Sequence, residues 1–260
     1  MNVIKHYSIQ EKFRLFLVTI IYIIFCLYTI NLITNEQNFY AKLVFLAIMI
    51  IFISISIWSE YLRFLYQSAI LTLNINLDPK TSLKIFEKLN KKDFFKSYSK
   101  TFLIFKILHN MSIKNYTECL KILDENNKFF RSSLDNLLIQ KYTYFFCYYK
   151  LHDIKKIEKY YRDLQKFRTS KIKKGRLSPL YNWDFIDGIY FKAIYNLKQS
   201  KHFFENTNTT NMNNLELLYY FSEYEDLLLK LNLNEQAKKI KYKIKKIKEG
   251  DYFENKQKNN

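Results

Sequence analysis

The chain has 260 residues but only three glycines and two prolines. Sheets and nucleotide-binding loops need turn glycines, so this composition excludes both and predicts an all-α protein. The formal net charge is +18; four bases against two acids precede Ser59, which leaves +16 on the remainder, and the three cysteines stand singly, excluding a disulfide framework or a CxxC pair.

The leader, residues 1–14, carries Lys5, Lys12 and Arg14. Leu15 to Leu32 then gives eighteen residues without a charge, enough for a helix of about 27 Å against a hydrocarbon core of about 30 Å. Leu43 to Trp58 is a second uncharged run of sixteen residues. It lengthens to a full span if Lys42 snorkels and admits Tyr40 and Ala41. Residues 15–58 therefore read as a two-helix transmembrane hairpin. Its turn, Ile33 to Phe39, has Glu36 as its sole charge, whereas bases flank the hairpin on the other side. The positive-inside bias puts both termini in the cytoplasm, and Tyr40 and Trp58 lie where interfacial rings are expected. A cleaved signal peptide fits less well, because the first run is too long and no small-x-small site follows Asn31. The excess of Lys, Asn, Ile, Phe and Tyr fits an AT-rich coding sequence of a low-GC bacterium, which offers codon usage as one source of the lysines.

From Ser59 onward apolar residues recur at helical spacing. Ser59 to Leu73 continues the second span, and Asp78 caps a helix with Pro79 in its first turn and Leu83, Phe86 and Leu89 on its buried face. Further helices are predicted over Phe94–His109, Lys114–Asn126, Ser132–Lys150, Asp153–Phe167, Trp183–Leu197, Ser200–Glu205, Asn214–Leu231 and Asn234–Lys248. Residues 59–250 thus form a cytosolic helical domain, and residues 251–260 read as a disordered tail.

Tyr148 to Leu164 resembles the middle of a tetratricopeptide repeat. Tyr148 and Tyr149 end one helix, His152 takes the usual glycine place, Ile154 the large place and Ile157 the small place. Leu228 to Ile240 fits the same frame, with Asn232 in the glycine place and Ala237 in the small one; Asn tolerates positive φ. Extending the frame puts Ser82, Cys119 and Phe203 in the small place, at spacings of 37, 38, 46 and 34 along the series. The resemblance implies an α-solenoid of helical hairpins whose groove binds a peptide or protein partner.

No HExxH, GxGxxG, P-loop or GxSxG motif is present, so the sequence supplies no catalytic, metal or cofactor residues. His109, His152 and His202 stand near helix ends, and Glu118, Asp124, Glu158 and Asp163 are placed to pair with lysines on their own helices. Tyr142, Tyr144, Phe145, Phe146, Tyr148 and Tyr149 crowd one helix, more rings than one buried face absorbs, so some are expected to be exposed. Tyr142, Phe145 and Tyr149, with the basic loop residues Lys171, Lys173, Lys174 and Arg176, are the candidate partner-binding residues. The last helix surrounds the stripe Ala237, Ile240, Ile244 and Ile247 with lysines, of which Lys239, Lys243 and Lys246 are candidates for anionic lipid. Such a helix also suits the solubilising cap that repeat arrays require. No base-reading motif makes nucleic acid an expected partner. The sequence thus reads as a membrane-anchored scaffold. A second reading, by analogy with two-span basic proteins of low-GC bacteria, is a peptide-immunity or peptide-sensing protein.

Overall fold

A computed structural model describes residues 9–169 and 182–250. Among these it is all-helical, with α1 over Ile9–Asn35, α2 over Phe39–Asn74, α3 over Pro79–Lys92, α4 over Ser99–Ser112, α5 over Tyr116–Glu125 and α6 over Asn127–Phe130. α7 follows over Leu134–Lys150, α8 over Ile154–Thr169, α9 over Trp183–Ala193, α10 over Leu197–Asn206, α11 over Asn214–Lys230 and α12 over Asn234–Glu249. The chain divides into two compact units, one of Met1–Leu71 with Thr81–Lys96, the other of Thr72–Lys80 with Ser97–Asn260.

In the first unit α1 and α2 are antiparallel. Phe25 packs on Phe52 with ring centroids 4.3 Å apart, and Thr29 and Ser56 are buried. Both helices are long and apolar enough to cross a membrane. Only 6% of each apolar window is buried, so these are not core helices of a globular domain, which would hide most of that surface. At the charged end, Arg14 forms a two-pronged pair with Glu60 at 2.9 Å, and Arg63 meets Glu11. α3 then returns along α2, burying Ser82, Phe86 and Leu89. Leu83 is only half-buried, because the Ser82 hydroxyl, donating to the Ala69 carbonyl at 2.7 Å, sets the contact line one residue earlier.

The second unit is a series of helical hairpins, α4 with α5, α7 with α8, α9 with α10 and α11 with α12. α7, α9 and α11 bury residues around much of their circumference. Their partners bury single stripes, such as Cys119, Ile122 and Leu123 on α5 and Ala237, Ile240, Ile244 and Ile247 on α12. The first helices of the hairpins thus make an inner layer and the second helices an outer one, around a core running from Ile107 to Ile247.

One turn recurs. Leu77, Lys114, His152, Tyr195 and Asn232 each have φ between 56° and 61°, the left-handed region. In the last four, the following residue's N–H reaches back to close the preceding helix, as when Asp153 N–H donates to the Tyr148 carbonyl at 3.1 Å and Leu233 N–H to that of Leu228 at 2.9 Å. Asn115, Asp153 and Asn196 then cap the next helix, accepting from Glu118, Lys156 and Gln199 N–H. Five residues beyond each left-handed residue stands a buried one: Ser82, Cys119, Ile157, Ser200 and Ala237.

This corrects one position of the sequence frame. The helix predicted to run from Trp183 to Leu197 ends at Ala193, because Tyr195 turns left-handed and Asn196 starts α10. The small place is therefore Ser200, three residues before Phe203. Its hydroxyl donates to the Gly188 carbonyl at 2.7 Å, the contact Cys119 makes to Ile107 at 3.6 Å. Phe203 lies outside that seam, half-buried and stacked on Phe191.

Candidate functional site

The aromatic residues of α7 are not the exposed surface that their number predicts. Tyr142, Phe145 and Tyr149 are all buried, Phe145 completely. α7 can bury rings on several sides because it has several neighbours. Phe146 meets Tyr116 of α5 and Tyr219 of α11, while Tyr144 stacks on Tyr160 of α8 at 4.7 Å. Cys147, also turned inward, lies against Cys119, whose hydrogen bond together with burial pushes the Cys147 thiol far up and keeps it protonated.

Beside Tyr149 the inner layer holds a charged knot. Glu223 of α11 accepts from the Tyr149 hydroxyl, from Lys150 Nζ and from Lys192 Nζ of α9 at 2.8 Å. Lys192, with a side chain 1% exposed, also reaches Asp226 at 2.8 Å, and Asp226 takes Lys230 at 3.0 Å. Burial pushes the Glu223 carboxyl up, but the ammonium charges of Lys192 and Lys150 outweigh that and hold it below its ordinary value. Burial and the nearby Glu223 charge both push the Tyr149 phenol up, so it stays a donor. A second buried carboxylate, Asp187 of α9, accepts from Tyr161 at 2.9 Å, Gln165 at 3.0 Å and Arg168 at 2.7 Å of α8. Each carboxylate accepts from three side chains of other helices, so these groups join the helices together. Sequence periodicity missed both, although a lysine in IYFKAIY and a glutamate in YYFSEYE, each inside an apolar run, were readable signals.

A surface opening lies elsewhere among the described residues. Between α6, α7 and α8 lies a cleft of about 360 Å³ lined by Asn127, Arg131, Leu137, Gln140, Lys141, Tyr144 and Tyr160. Gln140 Nε2 donates to Asn127 Oδ1 at 3.1 Å, Lys141 pairs with Asp163 at 2.8 Å, and the Tyr144 hydroxyl is held by Asp124. Asp124 is thus tied across helices, not along its own, whereas Asp163 does take Lys166 three residues on, at 3.2 Å. Burial pushes the Tyr160 phenol up to about 12. Arg131 is exposed at the rim. A guanidinium, an ammonium and two stacked phenol rings around one opening suit an acidic or aromatic side chain of a polypeptide.

Lys171, Lys173, Lys174 and Arg176 lie outside the described residues. On α12 the apolar stripe is buried. Lys239 and Lys243 are exposed and Lys246 half-buried, with Lys243 over the Phe221 ring at 5.3 Å and Lys246 over Tyr242 at 4.9 Å. Among the described residues no group of three His, Cys, Asp or Glu side chains could hold a metal ion. Comparison with protein-family models, with curated proteins and with solved structures gives no match for this chain.

Proposed function

We propose that the chain is a membrane-anchored scaffold, held by α1 and α2 with both ends cytoplasmic, whose tetratricopeptide-like hairpin array binds an acidic segment of a protein partner. The observation that carries this reading is the pairing of two almost wholly unburied apolar helices with hairpins built on one recurring left-handed turn. Serial hairpins of this kind commonly present a binding surface and not a catalytic centre. The partner is assigned to the α6–α8 cleft, because the rings named from sequence are buried. Arg131 at the rim would meet the acidic group, and the Tyr144–Tyr160 stack would meet an apolar or aromatic neighbour.

The full chain, expressed in bacterial membranes with a photo-crosslinking amino acid in place of Leu137, tests it. The chain should resist alkaline extraction and give discrete protein adducts that disappear with Arg131→Glu. An extractable chain would remove the anchor. Adducts absent, or indifferent to Arg131→Glu, would remove the partner site.

A further inference from the structure

α3 leads back toward the apolar stretch of α2, and three contacts set its register. Ser82 reaches Ala69, the Phe86 ring meets Tyr66 edge-on at 6.1 Å, and Lys92 Nζ lies 5.4 Å over Trp58 and 5.6 Å over Tyr61. α3 therefore ends level with Trp58, the ring that closes the second apolar run. The chain then turns sharply: Phe94 N–H donates to the Lys92 carbonyl, Lys96 N–H to that of Asp93, and Lys96 is left-handed at φ 53°. At the tip stand Phe94 and Phe95, 76% and 78% exposed. Phe94 stacks on Trp58 at 5.8 Å, 17° from parallel, and Lys91, Lys92 and Lys96 flank the pair.

Adjacent phenylalanines held out at the foot of a lysine-bearing helix, in line with the tryptophan that ends an apolar run, repeat the layering of a bilayer surface. Rings belong at the acyl boundary and ammonium groups at the phosphates. We infer that the Lys91–Lys96 turn is a second, non-spanning membrane contact. Phe94 and Phe95 enter the headgroup–acyl boundary beside Trp58, and Lys91, Lys92 and Lys96 bind anionic headgroups. The occupant is lipid and not a protein because the patch continues the lipid-facing surface of α2 at its own level and carries the charge complementary to an anionic leaflet. A contact off the axis of α2 fixes the rotation of the α2–α3 pair against the membrane plane, which two spans alone leave loose. The inference rests on reading α1 and α2 as spanning helices.

The test uses the full chain in vesicles of phosphatidylcholine and phosphatidylglycerol. In a Cys26→Ser background, Phe95→Cys and Lys84→Cys are each labelled with a nitrobenzoxadiazole dye under native conditions, where Cys119 and Cys147 are buried. Lys84 is exposed and about 12 Å up α3 from Lys92. Lipid carrying a nitroxide near the headgroup should quench the dye at 95 at least about twofold more than at 84, as expected of a ring at the boundary. Equal, water-like emission at both positions would overturn the inference and leave the pair to a protein partner. The unmutated chain labelled at Cys26, mid-way along the α1 span, in vesicles whose lipid carries the nitroxide deep in the acyl chain, separates the two readings. Quenching there without quenching at 95 removes only the second contact, and no quenching at either removes the spans as well.

Discussion

Replacing Glu223 with alanine removes the acceptor shared by Lys192, Lys150 and the Tyr149 hydroxyl. Lys150 keeps some access to water with 26% of its side chain exposed, whereas Lys192, at 1%, has none. Breaking a buried pair by deleting one member costs about 3–5 kcal/mol, because the survivor stays desolvated. Lys192 retains Asp226 at 2.8 Å and the carbonyl of residue 223 at 2.8 Å, which places the loss near the lower end, about 3 kcal/mol. For a unit of this size that lowers Tm by about 6–12 °C. The assay is urea and thermal unfolding of the full chain in detergent, followed by Trp183 fluorescence in a Trp58→Phe background. Removing both charges together, as Glu223→Leu with Lys192→Met, should recover most of the loss, since apolar side chains of similar volume replace buried ion pairs at little cost. The acid limb gives a further check. The folded carboxyl lies below its unfolded value of about 4.3, so its contribution is fully present above that pH and disappears as pH falls through the folded value. The Glu223→Ala chain should lose less stability on acidification than the native chain. A loss under about 1 kcal/mol for Glu223→Ala, or an unchanged acid limb, would refute the knot as a unit of stability.

Gly188→Ala should destabilise by about 1 kcal/mol despite alanine's better helix propensity, because an added Cβ would lie 2.9 Å from the fully buried Phe204 ring; the urea midpoint reads the sign. Tyr195→Gly should stabilise by about 0.5–1 kcal/mol, since its side chain is 79% exposed while its φ of 61° strains any L-residue, and Asn232→Gly should change far less. Equal responses at the two turns in the same titration would show that asparagine tolerates this φ no better than tyrosine. Ser200→Ala should cost about 1 kcal/mol by leaving the Gly188 carbonyl without its hydroxyl donor, which chemical denaturation measures. A thiol reagent should modify Cys119 and Cys147 only after unfolding; modification in the native chain would show that the α5–α7 seam opens.

The two long apolar helices, the helical class and the apolar stripe of α12 were legible because each depends on neighbours within one helix. The Leu15–Leu32 and Leu43–Trp58 runs need no partner to be read, and Ala237, Ile240, Ile244 and Ile247 fall on one face by spacing alone. His152 and Asn232 were placed in the left-handed turn, and both are there. The frame slipped at Tyr195, where an aromatic residue takes a conformation that spacing cannot announce, although Asn196 three residues before Gln199 carried an N-cap pattern. α7 was misjudged for a different reason. How many rings a helix can hide depends on how many helices surround it, and its contacts to α11 join residues more than seventy apart, as Tyr149 does with Glu223.

That separation also explains why Tyr142, Phe145 and Tyr149 are not at the surface. The rings that composition marks out were taken up by the core once α5, α8 and α11 closed around α7. Among the described residues, the α6–α8 cleft stays open in the second unit and, in the first, a turn holds Phe94 and Phe95 exposed. In a layered helical array a cluster of aromatic residues in sequence marks the inner layer. A pair of rings interrupting a lysine-rich helix end, as in KKDFFK, breaks the periodicity that burial requires, and Phe94 and Phe95 are accordingly exposed.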